Sequence, residues 1–240
     1  MCRDYERERQ WRMHKAMIDA EYERRRVPEL RVITGDAEPN SYMRETTELT
    51  KPAPIVRMVE NGTCLEMTMA HWWFVPASHR GTYKEFQRKL NTFNARSEGI
   101  GGSSTFRKAF ASRRCLVPAS GWYEWTEPPG WKKGKPKTKW RIMIGDHEPI
   151  FFAGIWDRFT DTDPEDPGPK DTFALITHDA GPGVIDYHDR APIVMPPSTW
   201  ADWLNPTNDA PQALLPPASA ADTYIVEYVS GPPPAAPTLL

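Results

Sequence analysis

Cysteine at position 2 has the most distinctive chemistry open to it of any residue in the chain. Met1 precedes a small side chain there, the context in which an aminopeptidase removes the initiator. Removal leaves Cys2 with a free α-amine beside its thiol. The ordinary pKa values are roughly 7.7–8.0 for the amine and ~8.5 for the thiol, so both hold usable reactive fractions near neutral pH. Such an aminothiol condenses with an aldehyde in a specific way. The amine forms an imine, and the thiol then adds to it and closes a thiazolidine ring. The competing reading is an incidental cysteine on a frayed terminus.

Three further strings carry groups suited to chemistry. Asn94-Ala95-Arg96-Ser97-Glu98 offers an amide with donors and acceptors and a planar guanidinium fork that fits phosphate. An ordinary polar loop is the alternative. In Cys115-Leu116-Val117-Pro118-Ala119-Ser120-Gly121-Trp122-Tyr123-Glu124-Trp125, strand alternation sets Trp122 and Glu124 on one face and Tyr123 and Trp125 on the other. A carboxyl against aromatic surface tends towards a raised pKa and serves as an acid or base; a solvent-facing Glu124 would do neither. Cys115 fits a core position better than a nucleophile. In Ile185-Asp186-Tyr187-His188-Asp189-Arg190-Ala191-Pro192, neighbouring carboxylates can orient the His188 ring, which is otherwise a plain surface histidine.

Together these strings, in this order and spacing, resemble the SOS response-associated peptidase (SRAP) family, the abasic-site processing proteins. The resemblance covers roughly residues 54–229 plus Cys2. It implies single-stranded DNA as partner and covalent capture of an abasic-site aldehyde by the mature Cys2. It also implies roles for individual residues. Cys2 takes the nucleophile role, Asn94 matches the Asn that contacts and positions the site, and Glu124 and His188 match the family's catalytic Glu and His. Arg96 and Arg190 match phosphate-holding positions, and Thr177 matches a polar residue of the same pocket. The peptidase name reflects autocatalytic loss of the residue before Cys2. The family's usual Met-Cys-Gly-Arg start is Met-Cys-Arg-Asp-Tyr here, and its Asn-x-Ala-Pro stretch survives only as Glu38-Pro39-Asn40-Ser41. Two rival functions stay open at this point: a general cysteine peptidase pairing Cys115 or Cys2 with His188, and a non-catalytic single-strand binder.

Elements must hold these groups in place. Residues 3–27, dense in charge and free of Gly and Pro, space Trp11, Ile18 and Tyr22 as a narrow helical stripe ended by Pro28. Asn61-Gly62 between the runs 55–59 and 64–67 predicts a hairpin. Ser103-Ser104 can cap a helix reaching Ser112, with Phe106, Ala109 and Phe110 on one face. Strands are expected at 115–117, 122–125, 140–144, 149–159, 172–177, 193–195 and 224–229, and a helix at 197–204 opening on proline. Trp72, Trp73 and Phe74 are candidate base-stacking surfaces, and Lys132, Lys133, Lys135, Lys137 and Lys139 a local positive field. A core position for the tryptophans and a solvated loop for the lysines are the alternatives.

The elements do not alternate as βαβ units would. The reading is one α+β domain over residues 2–230, a mostly antiparallel sheet curled into a barrel with short helices, and a disordered Pro-rich tail at 231–240. Composition excludes other classes. The chain has 240 residues with 25 prolines that follow no period, and ten tryptophans argue against disorder. A net charge of −2 makes any anion-binding surface a local patch. No apolar run approaches a membrane span, and the charged start lacks a signal peptide's apolar core, so a cytoplasmic location is expected; the family resemblance adds the expectation of a monomer, nucleoid-associated when DNA is damaged. Three cysteines with no C-x-x-C spacing predict neither disulfides nor a structural metal, and no cofactor is expected.

Overall fold

The computed structural model describes residues 4–6, 16–21, 30–32, 46–59, 64–145, 150–165, 167–217 and 224–233. Cys2, Trp11, Tyr22, the degraded 38–41 stretch, the Asn61-Gly62 turn and residues 234–240 lie outside them.

Five strands close into a ring. They are β4 (Pro52–Val59), β5 (Cys64–Trp72), β7 (Arg114–Ala119), β10 (Ile150–Arg158) and β11 (Asp171–Asp179). Neighbours pair antiparallel around the order β5-β4-β7-β10-β11. The ring shuts where β11 meets β5 in parallel, Thr172 beside His71 and Phe173 beside Trp72. This is the barrel-like curl expected from the sequence. Its strands read as continuous apolar runs because both faces are covered. On one face Ile55, Trp72, Val117, Phe152 and Phe173 join a buried cluster with Tyr5, Trp122 and Ile142. On the other, Val56, Leu116, Ala153, Ile155 and Ile176 pack with Phe110, Trp200 and Trp203. Those last residues come from α3 (Arg107–Ser112) and α4 (Trp200–Leu204). The Ser103 oxygen accepts from the backbone N–H groups of Thr105 and Phe106, at 3.3 Å each. The helix after it begins later than the serine pair suggests.

Two short strands, β2 (Leu30–Val32) on β5 and β6 (Asn94–Arg96) on β11, extend the ring in parallel, and β12 (Arg190–Pro192) pairs antiparallel with β11. The strand expected at 193–195 is thus displaced to 190–192, and Val194 keeps a single bridge to Phe152. A second sheet has the order β13-β9-β8-β1-β3, from β13 (Tyr224–Ser230), β9 (Thr138–Ile144), β8 (Gly121–Thr126), β1 (Asp4–Glu6) and β3 (Thr46–Glu48).

The start of the chain corrects the helix expected over 3–27. Residues 16–21 are helical (α1), with Ile18 buried, but Asp4–Glu6 form a strand. Tyr5 explains why. It is fully buried and meets Trp72 at 5.2 Å and Phe152 at 5.9 Å between ring centroids, while β1 gains partners on both sides from β8 and β3. Tertiary pairing outweighs a local helical pattern. Helix α2 (Tyr83–Lys89) opens with a reciprocal capping box between Thr82 and Glu85, a spacing visible in the sequence.

Candidate active site

Strand β6 brings the Asn94 string to the ring. Parallel pairing sets Asn94 beside Leu175 and Arg96 beside Thr177, and the Ser97 N–H donates to the Thr177 carbonyl at 2.9 Å. Trp72 anchors the start of this strand, its indole N–H donating to the Phe93 carbonyl at 2.8 Å. The two tryptophans expected to stack on bases are therefore corrected. Trp72 is fully buried and lies 6.3 Å from Phe173 in a stacked pair, and Trp73 is buried against Phe93. Their surfaces went into the core, where a large aromatic gains most from leaving water.

Arg190 gathers the neighbouring groups. One guanidinium nitrogen, Nη1, donates to Glu98 Oε1 at 2.9 Å and also to Asp179 Oδ1; the other, Nη2, donates to Glu98 Oε2 at 3.0 Å and to the Thr177 carbonyl at 2.7 Å. Arg190 is buried, whereas Arg96 is exposed. The guanidinium holds the Glu98 carboxyl below the usual carboxylate range. Glu98 and Asp179 are functional candidates that sequence reasoning did not single out. Glu98 ended a string already of interest, and Asp179 ends the strand that carries Thr177.

A tight turn over 181–188, with the Tyr187 and His188 N–H groups both donating to the Val184 carbonyl, presents His188 beside this cluster. His188 Nδ1 lies 2.9 Å from the Arg190 backbone N–H and 2.8 Å from Asp189 Oδ1. One ring nitrogen cannot accept from the first and donate to the second. Burial lowers the His188 pKa despite the Asp189 charge, so the neutral ring is favoured. Nδ1 then accepts from Arg190 and Nε2 carries the proton.

Glu124 arrives from the other sheet. It is 1% exposed and shares its face of β8 with the fully buried Trp122, which settles its orientation inward. Its cross-strand neighbour on β9 is Trp140, and the Trp140 indole meets the Tyr187 ring at 4.9 Å. That contact joins β9, the strand paired with Glu124's own, to the turn holding His188. On the far side of β8, β1 pairs with it through Asp4 opposite Tyr123 and Tyr5 opposite Trp122. Cys2 lies outside the described residues, two positions before Asp4.

Cys115 is no rival nucleophile. It is fully buried, and desolvation pushes its thiol far above the usual range. Among the described residues no three His, Cys, Asp or Glu side chains converge as a metal-binding group.

Comparisons with known proteins agree on one family. The family model described as SOS response associated peptidase (SRAP) matches residues 2–230. The abasic site processing protein YoqW of Bacillus subtilis is 31% identical over 173 residues, 70% of this chain and 71% of that one. The abasic site processing protein YedK of Escherichia coli is 32% identical over 62% of this chain and 60% of that one. A crystal structure of a protein from Bacteroides thetaiotaomicron shares the fold, with a TM-score of 0.71 at 22% identity over 95% of this chain and 92% of that one.

Proposed function

The chain belongs to the SOS response associated peptidase family, and from that membership we propose that it processes abasic sites in DNA, binding a single strand and capturing the sugar aldehyde with Cys2. The observation that carries the proposal is the placement of β1. Two peptide units separate Cys2 from Asp4, and each spans 3.80 Å between Cα atoms, so Cys2 stays within ~7.6 Å of a strand end paired with Tyr123, the neighbour of Glu124. The fixed end of the chain thus supports delivery of an N-terminal aminothiol to a buried carboxyl.

The chemistry needs no cofactor. After loss of Met1, by autocatalysis or by an aminopeptidase, the Cys2 amine adds to the aldehyde carbon and gives a carbinolamine. Its hydroxyl leaves as water once protonated, forming the imine. The thiol sulfur then attacks the imine carbon, its proton passes to nitrogen, and the thiazolidine closes with net loss of one water. Glu124, a carboxyl buried on β8, is suited to supply and take up these protons. Neutral His188 is a second proton acceptor. Asn94 and Thr177 line the approach, and exposed Arg96 holds a phosphate. Arg190 reaches a phosphate only by exchanging Glu98 or Asp179 for it.

The test is a single-turnover reaction with an abasic single strand, read as a denaturation-resistant band. The wild-type protein should form the band and Cys2→Ala should not. Cys2→Ser keeps the amine and should give only a borohydride-trapped imine. Glu124→Gln should bind DNA normally and cross-link roughly 10²–10⁴-fold more slowly, the usual size of an acid–base contribution. Wild-type rates in Glu124→Gln would make the carboxyl structural, and equal heat-stable bands from wild type and Cys2→Ser would overturn the thiazolidine.

A further inference from the structure

A row of aromatic rings extends outward from Glu124, and the proposed chemistry uses none of them. Cross-strand pairing sets Glu124 beside Trp140 and Trp140 beside Tyr228. The adjacent row on this face, Trp122, Ile142 and Val226, packs into the core. Exposure rises along the outer row, from 1% at Glu124 through half-buried Trp140 to 47% at Tyr228. The Tyr187 and Tyr228 rings meet the indole at 4.9 and 6.2 Å, inclined at 67° and 80°. Both outer rings of the sheet are held in place. The Trp140 N–H donates to Thr126 Oγ1 at 2.8 Å, and the Tyr228 hydroxyl donates to the Gly231 carbonyl at 2.6 Å. Ordering is therefore complete before any ligand arrives, which lowers the entropic cost of binding.

The surroundings specify the ligand. Exposed Ile185 and Val229 sit on the same turn and strand as the two tyrosines. The β8–β9 loop springs from Thr126 and Thr138 beside it, carrying exposed Lys132, Lys133 and Lys135. Its root is tied to the end of β13 by the Thr138 hydroxyl, which donates to the Pro232 carbonyl at 2.6 Å. Ring faces with a basic flank match an unpaired nucleobase and its phosphate: aromatic surface takes any base, and lysine tracks the backbone.

We propose that Tyr187, Trp140 and Tyr228 form a stacking platform for the unpaired base next to the abasic sugar. This rests on the single-strand capture reading and assigns the stacking role that the buried Trp72 and Trp73 leave vacant. The platform orients the strand so that the base-free sugar, with nothing to stack, comes to lie against Glu124.

The test uses the full chain with Cys2→Ala, which blocks capture, and fluorescence anisotropy with strands of fixed length and charge. Each strand carries one abasic site, and the flanking bases are replaced singly by base-free spacers that keep the phosphate. One neighbouring position should prove base-dependent, its removal weakening binding about tenfold, the size expected for one stacked base. Tyr228→Ala should bind the intact and base-free strands alike at that position, Tyr187→Leu likewise, and Tyr228→Phe should keep the difference. Equal affinity of the parent protein for every strand overturns the platform and leaves capture standing, as does a Tyr228→Ala protein that still senses the base. Failure to bind any strand overturns both.

Discussion

Strand β11 has a buried arginine tied to each of its ends, and the two sites behave differently because their anions do. At the Asp171 end, Arg57 Nε lies 2.6 Å from Glu66 Oε2 and Nη2 lies 3.1 Å from Asp171 Oδ2. The guanidinium also sits 4.0 Å over the Trp156 ring. Both carboxylate side chains are nearly buried, at 12% and 11% exposure. At the Asp179 end, Arg190 is as deeply placed, but its Glu98 and Asp179 side chains are 50% and 82% exposed. Burial of the cation is common to both, so it does not distinguish a rivet from a receptor. Burial of the anions does. The carboxylates held by Arg57 are mostly withdrawn from water, Asp171 reaching it only beside its second partner, exposed Arg158. Those on Arg190 are largely in solvent already, as the proposed exchange for a phosphate requires, and this end also holds His188, Thr177 and Asn94.

Removing each arginine should separate the two ends most sharply. Arg57→Ala leaves buried Glu66 without its paired cation and leaves Asp171 only its exposed partner Arg158, at 2.8 and 2.9 Å, and should cost about 3–5 kcal/mol in denaturant unfolding. At roughly 2–4 °C per kcal/mol, that lowers the melting temperature by about 6–20 °C. Arg190→Ala should cost about 1–2 kcal/mol, since Glu98 and Asp179 rehydrate, and that cost should shrink further in 1 M salt, where exposed pairs are screened. A loss below ~1 kcal/mol for Arg57→Ala would erase the contrast.

The next effect is on DNA. Plots of log affinity against log salt should flatten by about 0.7 for Arg96→Ala, one phosphate's worth on a single strand. The same flattening for Arg190→Ala identifies it as a receptor; an unchanged slope makes it a second rivet. The smallest effect is a proton. His188 in the folded protein should titrate below 6.5 by NMR, with Nε2 protonated in the neutral ring. Because the unfolded ring takes up its proton first, this group should lower stability as pH falls through about 6.5 towards the folded value. A ring titrating above 6.5 would mean that Asp189, not burial, governs it.

Much of this was legible in the sequence. The ring strands announce themselves as apolar runs such as Ile150 to Trp156, and the motif strings single out Asn94, Glu124, His188 and Arg190, with Thr177 added by the family resemblance. What the sequence hid was long-range. Tyr5 lies in a charged stretch that looks helical until its partner Trp122 is known. Trp72 and Trp73 are aromatic in either role, and only the closing of β5 on β11 consigns them to the core. Arg190 looks available for phosphate because one of its carboxylate partners, Glu98, comes from a distant segment. Composition and spacing report which groups a chain owns, whereas pairing decides which of them are already engaged.

The insertion of β1 between β8 and β3 also sets a timetable. During synthesis Tyr5 is made more than a hundred residues before its partner Trp122, and His188 and Arg190 come later still. At about 5–20 residues per second, β1 waits on the order of ten seconds or more before all of these exist. Closing so long a loop also slows folding once the chain is released. Strand β1 is thus kept apart from the strand that carries Glu124 throughout synthesis, and the second sheet can close only when the chain is nearly complete.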